Sequence, residues 1–129
     1  MNLFVWTESL ATGNAFIDTD HRELVVRVNA VLGAIASKQS GTSLQDLLVF
    51  TREHFAREEA EMRHIGFQSM DAHCAEHIKL MAQLDGVRVQ LEEGQAVEQM
   101  GLYHFLTWWV KDHIHQEDTE LAAAMRAFT

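Results

Sequence analysis

The 129-residue chain contains no proline, although roughly six would be expected at this length. Because proline interrupts helices, its absence favours long, unbroken helices. The chain has one cysteine, which excludes an internal disulfide and fits a reducing cytoplasm. No apolar run is long enough to span a bilayer, and the first residues lack the basic stretch of a signal peptide. The sequence therefore predicts a cytoplasmic protein.

Basic residues are also scarce. Ten lysines and arginines face 19 aspartates and glutamates, which gives a formal net charge of −9. Such a surface argues against nucleic acid and anionic membranes as partners. Apolar residues make up 47% of the chain, enough for one packed core. We therefore expect a single domain over residues 1–129.

Four segments repeat apolar residues at helical spacing, with polar or glycine-containing stretches between them. Asp18 is the predicted N-cap of the first helix, and Gly66 the predicted terminator of the second. Residues 1–16 have no clear period and should form an extended arm. The sequence predicts an all-α fold, an up-down antiparallel four-helix bundle with an extended N-terminal arm. The predicted helices cover about 19–37, 43–64, 69–93 and 97–125.

Seven residues in the inward stripes of these helices could bind a metal ion. Burying one polar group without a partner costs about 1–3 kcal/mol. Seven would cost on the order of 10 kcal/mol, which rivals the stability of a typical domain. Bound metal ions would remove this penalty. The seven are His21, His54, Glu58, His73, His77, His113 and Asp118.

The spacing of these residues supports a shared site. His54 and Glu58 are four residues apart, and so are His73 and His77, so each pair lies on one helix face. Asp118 follows His113 by five residues, which turns a regular helix by about 140°. Asp118 can reach the face of His113 only if the backbone is distorted, and we expect that distortion near residues 114–117.

Seven ligands are too many for one tetrahedral zinc site, so a two-metal site fits better. Imidazoles with carboxylates suit iron, but also zinc, copper or manganese. If both carboxylates and one solvent oxygen are shared by two octahedral ions, one coordination position stays open. A small molecule such as O₂ could bind there.

Four motifs, together with Trp6 and Gly13, give the chain a recognisable pattern. They are Ile17-Asp18-x-x-His21-x-x-Leu24, His54-Phe55-x-x-Glu58-Glu59-x-x-Met62, Gly66-Phe67 with His73-x-x-Glu76-His77-x-x-Leu80, and Phe105-Leu106-x-x-Trp109-Val110-x-x-His113-Ile114 followed by Asp118. In these motifs the chain resembles the hemerythrin family, in its single-domain bacterial form.

The resemblance implies a cofactor of two iron ions. His73, His77 and His113 would bind one iron, and His21 and His54 would bind the other, which keeps the vacancy. Two carboxylates, those of Glu58 and Asp118, would bridge the irons together with an oxo or hydroxo group.

The function implied by the resemblance is reversible O₂ binding as a carrier, store or supplier, without catalysis. An apolar pocket at the vacant position would exclude water and protons. Its lining residues, by the same resemblance, are Leu24, Phe55, Trp109, Val110 and Ile114.

Alternative functions have less support. A sensor of O₂, NO or redox state would need a partner that reads the signal. The sequence identifies neither such a partner nor a redox enzyme to which the protein would supply O₂. A di-iron oxidase or peroxidase would favour a site richer in carboxylates. His73-x-x-Glu76-His77 also matches an inverted zinc-protease motif, but that leaves most of the seven residues unexplained.

We expect solvated positions for the remaining histidines, His64, His104 and His115, and an inward position for Trp109 rather than Trp108.

Overall fold

The computed structural model describes residues 4–36, 42–93 and 99–128, and every regular element in these ranges is helical. The predicted all-α class is thus confirmed. A π-helical turn, Ile114–Asp118, joins the last two helices, and a short 3₁₀ turn, Glu8–Leu10, lies in the N-terminal arm. The α-helices are α1 (Ala15–Ala36), α2 (Thr42–Ile65), α3 (Met70–Glu92), α4 (Gln99–His113) and α5 (Thr119–Ala127).

The helices form a bundle in which α2 packs against both α1 and α3, while α1 also packs against α4. The run from α4 through the π turn to α5 corresponds to the predicted fourth helix. Gly94, which follows the predicted third helix, and the predicted start of the fourth helix near Val97 lie outside the described residues. No described helix is long and apolar enough to cross a membrane.

Gly66 ends α2 as predicted, with φ +64°, a left-handed conformation that glycine adopts without strain. The start of α1 differs from the prediction. The helix begins at Ala15, and its N-cap is Asn14, whose Oδ1 accepts a hydrogen bond of 3.0 Å from the Ile17 amide. The prediction of Asp18 as N-cap is wrong, because Asp18 lies inside the first turn.

The buried Asp18 carboxylate instead fastens the N-terminal arm to α1. Its Oδ1 accepts hydrogen bonds of 2.8 Å from both the amide and the hydroxyl of Thr12, and its Oδ2 accepts one of 3.3 Å from the Gly13 amide. Farther up the arm, Phe4 and Asn29 exchange two hydrogen bonds of 2.8 Å. The described part of the predicted arm therefore lies against the bundle, and Leu10 is buried in its core.

The core consists of a large apolar cluster and a small one, and along α1 and α2 the members of the two clusters are separated by buried polar residues. Leu24 of α1 belongs to the large cluster and Ile17 to the small one, with His21 between them in sequence. The small cluster consists of Ile17, Met62, Leu121 and Ala122. The predicted metal ligands occupy the layer between the two clusters.

The remaining predictions on aromatic side chains are confirmed where the structure describes them. Trp109 is 1% exposed and Trp108 is 48% exposed. His64 and His104 are exposed, as expected for solvated histidines, whereas the side chain of His115 lies outside the described part.

Replacing Asp18 by alanine should lower the free energy of unfolding by about 3 kcal/mol, because two buried donors of the arm and the Gly13 amide lose their acceptor. Chemical denaturation of the metal-loaded protein measures this difference. Asp46→Ala is the matched control, since Asp46 is exposed on α2 and should change stability by less than about 0.5 kcal/mol. Equal stability of the two variants would contradict the fastening role of Asp18.

Candidate metal centre

All seven predicted ligands meet in the polar layer, and each is at most 3% exposed. Their donor atoms form two groups, and within each group the atoms lie within 4.8 Å of one another. Two residues, Glu58 and Asp118, belong to both groups. The larger group adds His73, His77 and His113, and the smaller group adds His21 and His54.

The π turn is what brings Asp118 into this layer. The amide and the hydroxyl of Thr119 both donate to the Ile114 carbonyl, five residues earlier, and the hydroxyl bond measures 2.9 Å. One extra residue in the turn compensates for the five-residue spacing of His113 and Asp118. His113 Nε2 then lies 3.0 Å from Asp118 Oδ2. The distortion predicted near residues 114–117 is confirmed.

The two oxygens of Glu58 face different groups. Oε1 lies 3.0 Å from Nε2 of His77 in the larger group. Oε2 lies 3.1 Å from Nε2 of His54 and 3.8 Å from Nε2 of His21 in the smaller group. Asp118 likewise reaches His21, at 2.5 Å, and His73, at 3.1 Å. Both carboxylates are therefore placed between the groups, as bridges would be.

Several of these buried atoms make no hydrogen bond although their neighbours are close. Adjacent ligand atoms on one ion, each about 2.0–2.1 Å from it, are separated by about 3 Å. The atoms thus have the separation of ligands that point at a common ion rather than at each other, and the donor set fits a pair of metal ions. Among the unpartnered buried atoms of the described residues are Nε2 of His54, His73 and His113, Oε2 of Glu58 and Oδ1 of Asp118.

Without a metal ion, protons would have to balance the two buried carboxylates. Burial lowers the pKa of His54, but Glu58 and Asp20 outweigh it and raise the value to about 9. In the same way Asp118 and Glu58 raise the pKa of His73 to about 9 and that of His113 to about 10. Burial opposes ionisation of Glu58 and Asp118, yet the surrounding histidines hold both pKa values below the usual range.

Two carboxylates outside the layer were missed in the sequence. Asp20 accepts a hydrogen bond of 3.0 Å from His54 Nδ1, and Glu59 accepts one of 2.8 Å from His77 Nδ1. Glu59 had the pattern of a solvated helix face. Its four-residue spacing from Phe55 puts both residues on one face of α2, but the spacing does not tell which helix that face meets.

The five predicted pocket residues are all buried, 1–3% exposed, and belong to the large apolar cluster. Phe55 stacks on His77 with a centroid distance of 3.8 Å and an interplanar angle of 8°. Trp109 donates its indole N–H to the Leu80 carbonyl at 3.1 Å, so its only polar atom has a partner. Their role as a gas pocket stays a prediction. The five are Leu24, Phe55, Trp109, Val110 and Ile114.

Known proteins share this fold and pattern. The family model of the hemerythrin HHE cation binding domain matches residues 12–125. The chain belongs to the hemerythrin family. A bacteriohemerythrin of Pseudomonas paraeruginosa is 31% identical over 127 residues, covering 95% of this chain and 81% of the relative. The bacteriohemerythrin of Methylococcus capsulatus is 29% identical, covering 92% and 93%.

Solved hemerythrin structures agree with the fold. Wild-type hemerythrin superposes with a TM-score of 0.77 at 28% identity, covering 92% of this chain and 94% of the other. A leucine-to-alanine variant of hemerythrin gives a TM-score of 0.81 at 28% identity, covering 96% and 98%. The bundle is therefore a hemerythrin fold, with a cluster at its centre that is able to hold metal.

Metal-free protein should lose stability as the pH rises. The raised pKa values of His54, His73 and His113 stabilise the fold fully below about pH 6.5, the value of a free histidine. That stability, on the order of a few kcal/mol, is lost as the pH rises through 9 to 10. Thermal melting of chelator-treated protein between pH 6 and 10 tests this, with metal-loaded protein as the control. A midpoint for metal-free protein that does not fall across this range would contradict it.

Proposed function

We propose that the chain binds O₂ reversibly at a non-haem di-iron centre held by the seven clustered residues. The observation that carries the proposal is the division of the ligand atoms into a group of five and a group of four with two shared carboxylates. Three histidines and both carboxylates would hold one ion with five donors, whereas two histidines and the same carboxylates would hold the other with four. The ion with fewer donors, beside His21 and His54, would then have room for O₂.

The chain's residues supply the conditions for reversible binding. Two ferrous ions held here would supply the electrons that O₂ takes up on binding and returns on release. Five imidazoles would anchor the pair, while Glu58 and Asp118 would keep both ions at fixed positions. The buried apolar residues beside the layer, Leu24 and Val110 among them, exclude the water and protons that would otherwise strand the ions in their oxidised form.

A binding role without catalysis is part of the proposal. Di-iron oxygenase bundles place two Glu-x-x-His pairs at the metal site. Here Glu61-x-x-His64 is the one pair of that spacing, and His64 is exposed. Glu76 of the protease-like motif belongs to neither group of clustered donor atoms in the described part of the chain. NO as a second ligand, a redox-enzyme partner and a cytoplasmic location stay predictions.

The direct test uses iron-loaded protein with its iron content measured. Reduced protein kept without oxygen should be nearly colourless, should develop a visible absorption band in air, and should lose that band when O₂ is removed. Several cycles without loss of amplitude would support reversible binding. Immediate oxidation with no adduct that reverses would contradict O₂ binding, even if two irons per chain are present.

Replacing Glu58 by alanine should reduce bound iron from two ions per chain to one or none, because one shared carboxylate disappears and the Nε2 atoms of His54 and His77 lose their closest carboxylate oxygen. Elemental analysis after desalting measures the change. Glu53→Ala is the control, since Glu53 is exposed on the same helix and should keep both ions. An unchanged iron content in the Glu58 variant would refute the bridging role.

A further inference from the structure

Two carboxylates outside the centre each hold the outer ring nitrogen of one histidine. Asp20 binds His54 Nδ1 at 3.0 Å, and Glu59 binds His77 Nδ1 at 2.8 Å. Their side chains are 16% and 29% exposed, so both lie at the boundary between the polar layer and solvent. The two histidines belong to different groups of clustered donor atoms. Each group therefore has one histidine that a carboxylate supports.

Asp20 is itself held in place by Arg57. The same oxygen, Oδ2, accepts from His54 Nδ1 and from Arg57 Nε, the latter at 2.9 Å. The Arg57 guanidinium also lies 5.5 Å from the centre of the Phe50 ring, and that ring is parallel to the His54 imidazole within 5° at 6.4 Å. His54 is thus oriented at its edge by Asp20 and beside its face by Phe50.

His77 is held by two residues of α2, one turn apart. Phe55 covers one face of the imidazole at 3.8 Å, and Glu59 binds its outer nitrogen. These contacts leave Nε2 of His77 directed into the layer, 3.0 Å from Glu58. These two contacts, both made across the interface of α2 and α3, therefore fix the plane of the His77 ring and its rotation within that plane.

The other three imidazoles differ. Within residues 4–36, 42–93 and 99–128, the buried Nδ1 atoms of His21, His73 and His113 have no hydrogen-bond partner. The support by a carboxylate is therefore selective, with one supported histidine at each proposed metal position. General packing of the layer would not by itself produce this distribution.

We propose that Asp20 and Glu59 are positioning residues, Asp20 for the metal position of His54 and Glu59 for that of His77. A carboxylate at Nδ1 keeps the ring proton on that nitrogen, so that the lone pair of Nε2 is free for a metal ion. Its negative charge also makes the imidazole a stronger donor. The inference rests on the proposed two-metal centre and adds a separate determinant for each ion.

The test uses Zn²⁺, which is diamagnetic and has no redox chemistry. Asp20→Asn should weaken zinc binding at one position by about ten- to a hundred-fold, and Glu59→Gln should do so at the other. Competition with a chelator of known affinity measures both constants. Glu53→Gln removes the same charge from an exposed position on α2 and should leave both within about two-fold of the unaltered protein.

Nitrogen-15 NMR of the histidine rings separates positioning from general stabilisation. In zinc-loaded protein, Asp20→Asn should shift the ring signals of His54 and leave those of His77, whereas Glu59→Gln should do the reverse. Arg57→Gln leaves the Asp20 carboxylate in place but removes its anchor, and should move the His54 signals in a smaller degree. This variant also carries the test if Asp20→Asn does not fold.

Two results would overturn the inference in distinguishable ways. Unaltered protein that takes up fewer than two zinc ions would contradict the two-metal centre itself. Unaltered protein that takes up two, with Asp20→Asn and Glu59→Gln matching Glu53→Gln in affinity and ring signals, would leave the centre intact and refute the positioning role.

Discussion

Two fully buried carboxylates, Glu58 and Asp118, impose the charge balance on which this bundle depends. An isolated charge in a protein interior is costly, and two of them close together are more so. Balance can come from protons on the surrounding imidazoles or from metal cations. The raised pKa values of three histidines show how strongly the interior demands positive charge when no cation supplies it. The matching family model describes a cation binding domain, and bound cations would meet that demand.

The rest of the architecture serves the placement of these groups. The histidines come from several helices, so the cluster forms only where those helices pack together. Apolar clusters on both sides of the polar layer keep solvent away from it. Outside the layer, Phe55 and two further carboxylates contact individual imidazole rings, and Arg57 binds one of those carboxylates. Binding energy at the centre and packing energy in the bundle therefore support each other.

The sequence alone was sufficient for the helical class, the inward position of the seven residues and the site of the backbone distortion. These follow from periodicity, since a histidine in register with leucines has to point inward, and from the five-residue spacing of His113 and Asp118. The predicted start of α1 was wrong because aspartate is a common N-cap residue. In the structure, Oδ1 of Asp18 instead accepts hydrogen bonds from Thr12 in the arm. Local sequence does not reveal that choice.

The contacts of Glu59 and Asp20 with the histidines could not be predicted from the sequence, for a different reason. A carboxylate next to a ligand in sequence has the same pattern whether it faces solvent or an imidazole on a neighbouring helix. Only the relative rotation of α2 against α3, and of α1 against α2, decides between the two. That rotation is set by side-chain packing over the whole interface, which a periodic pattern does not encode.

The N-terminal arm and the last helix are joined by a hydrogen bond. Arg126 of α5 donates to the Thr12 carbonyl at 3.1 Å, and Thr12 in turn holds Asp18, three residues before His21. These polar contacts therefore connect α5, through the N-terminal arm, to the start of α1. If α5 moved away from the bundle, it would give up this hydrogen bond to the segment that precedes the first histidine of the cluster. Loosening of α5 would therefore weaken the attachment of the segment before His21, next to the position proposed to bind gas.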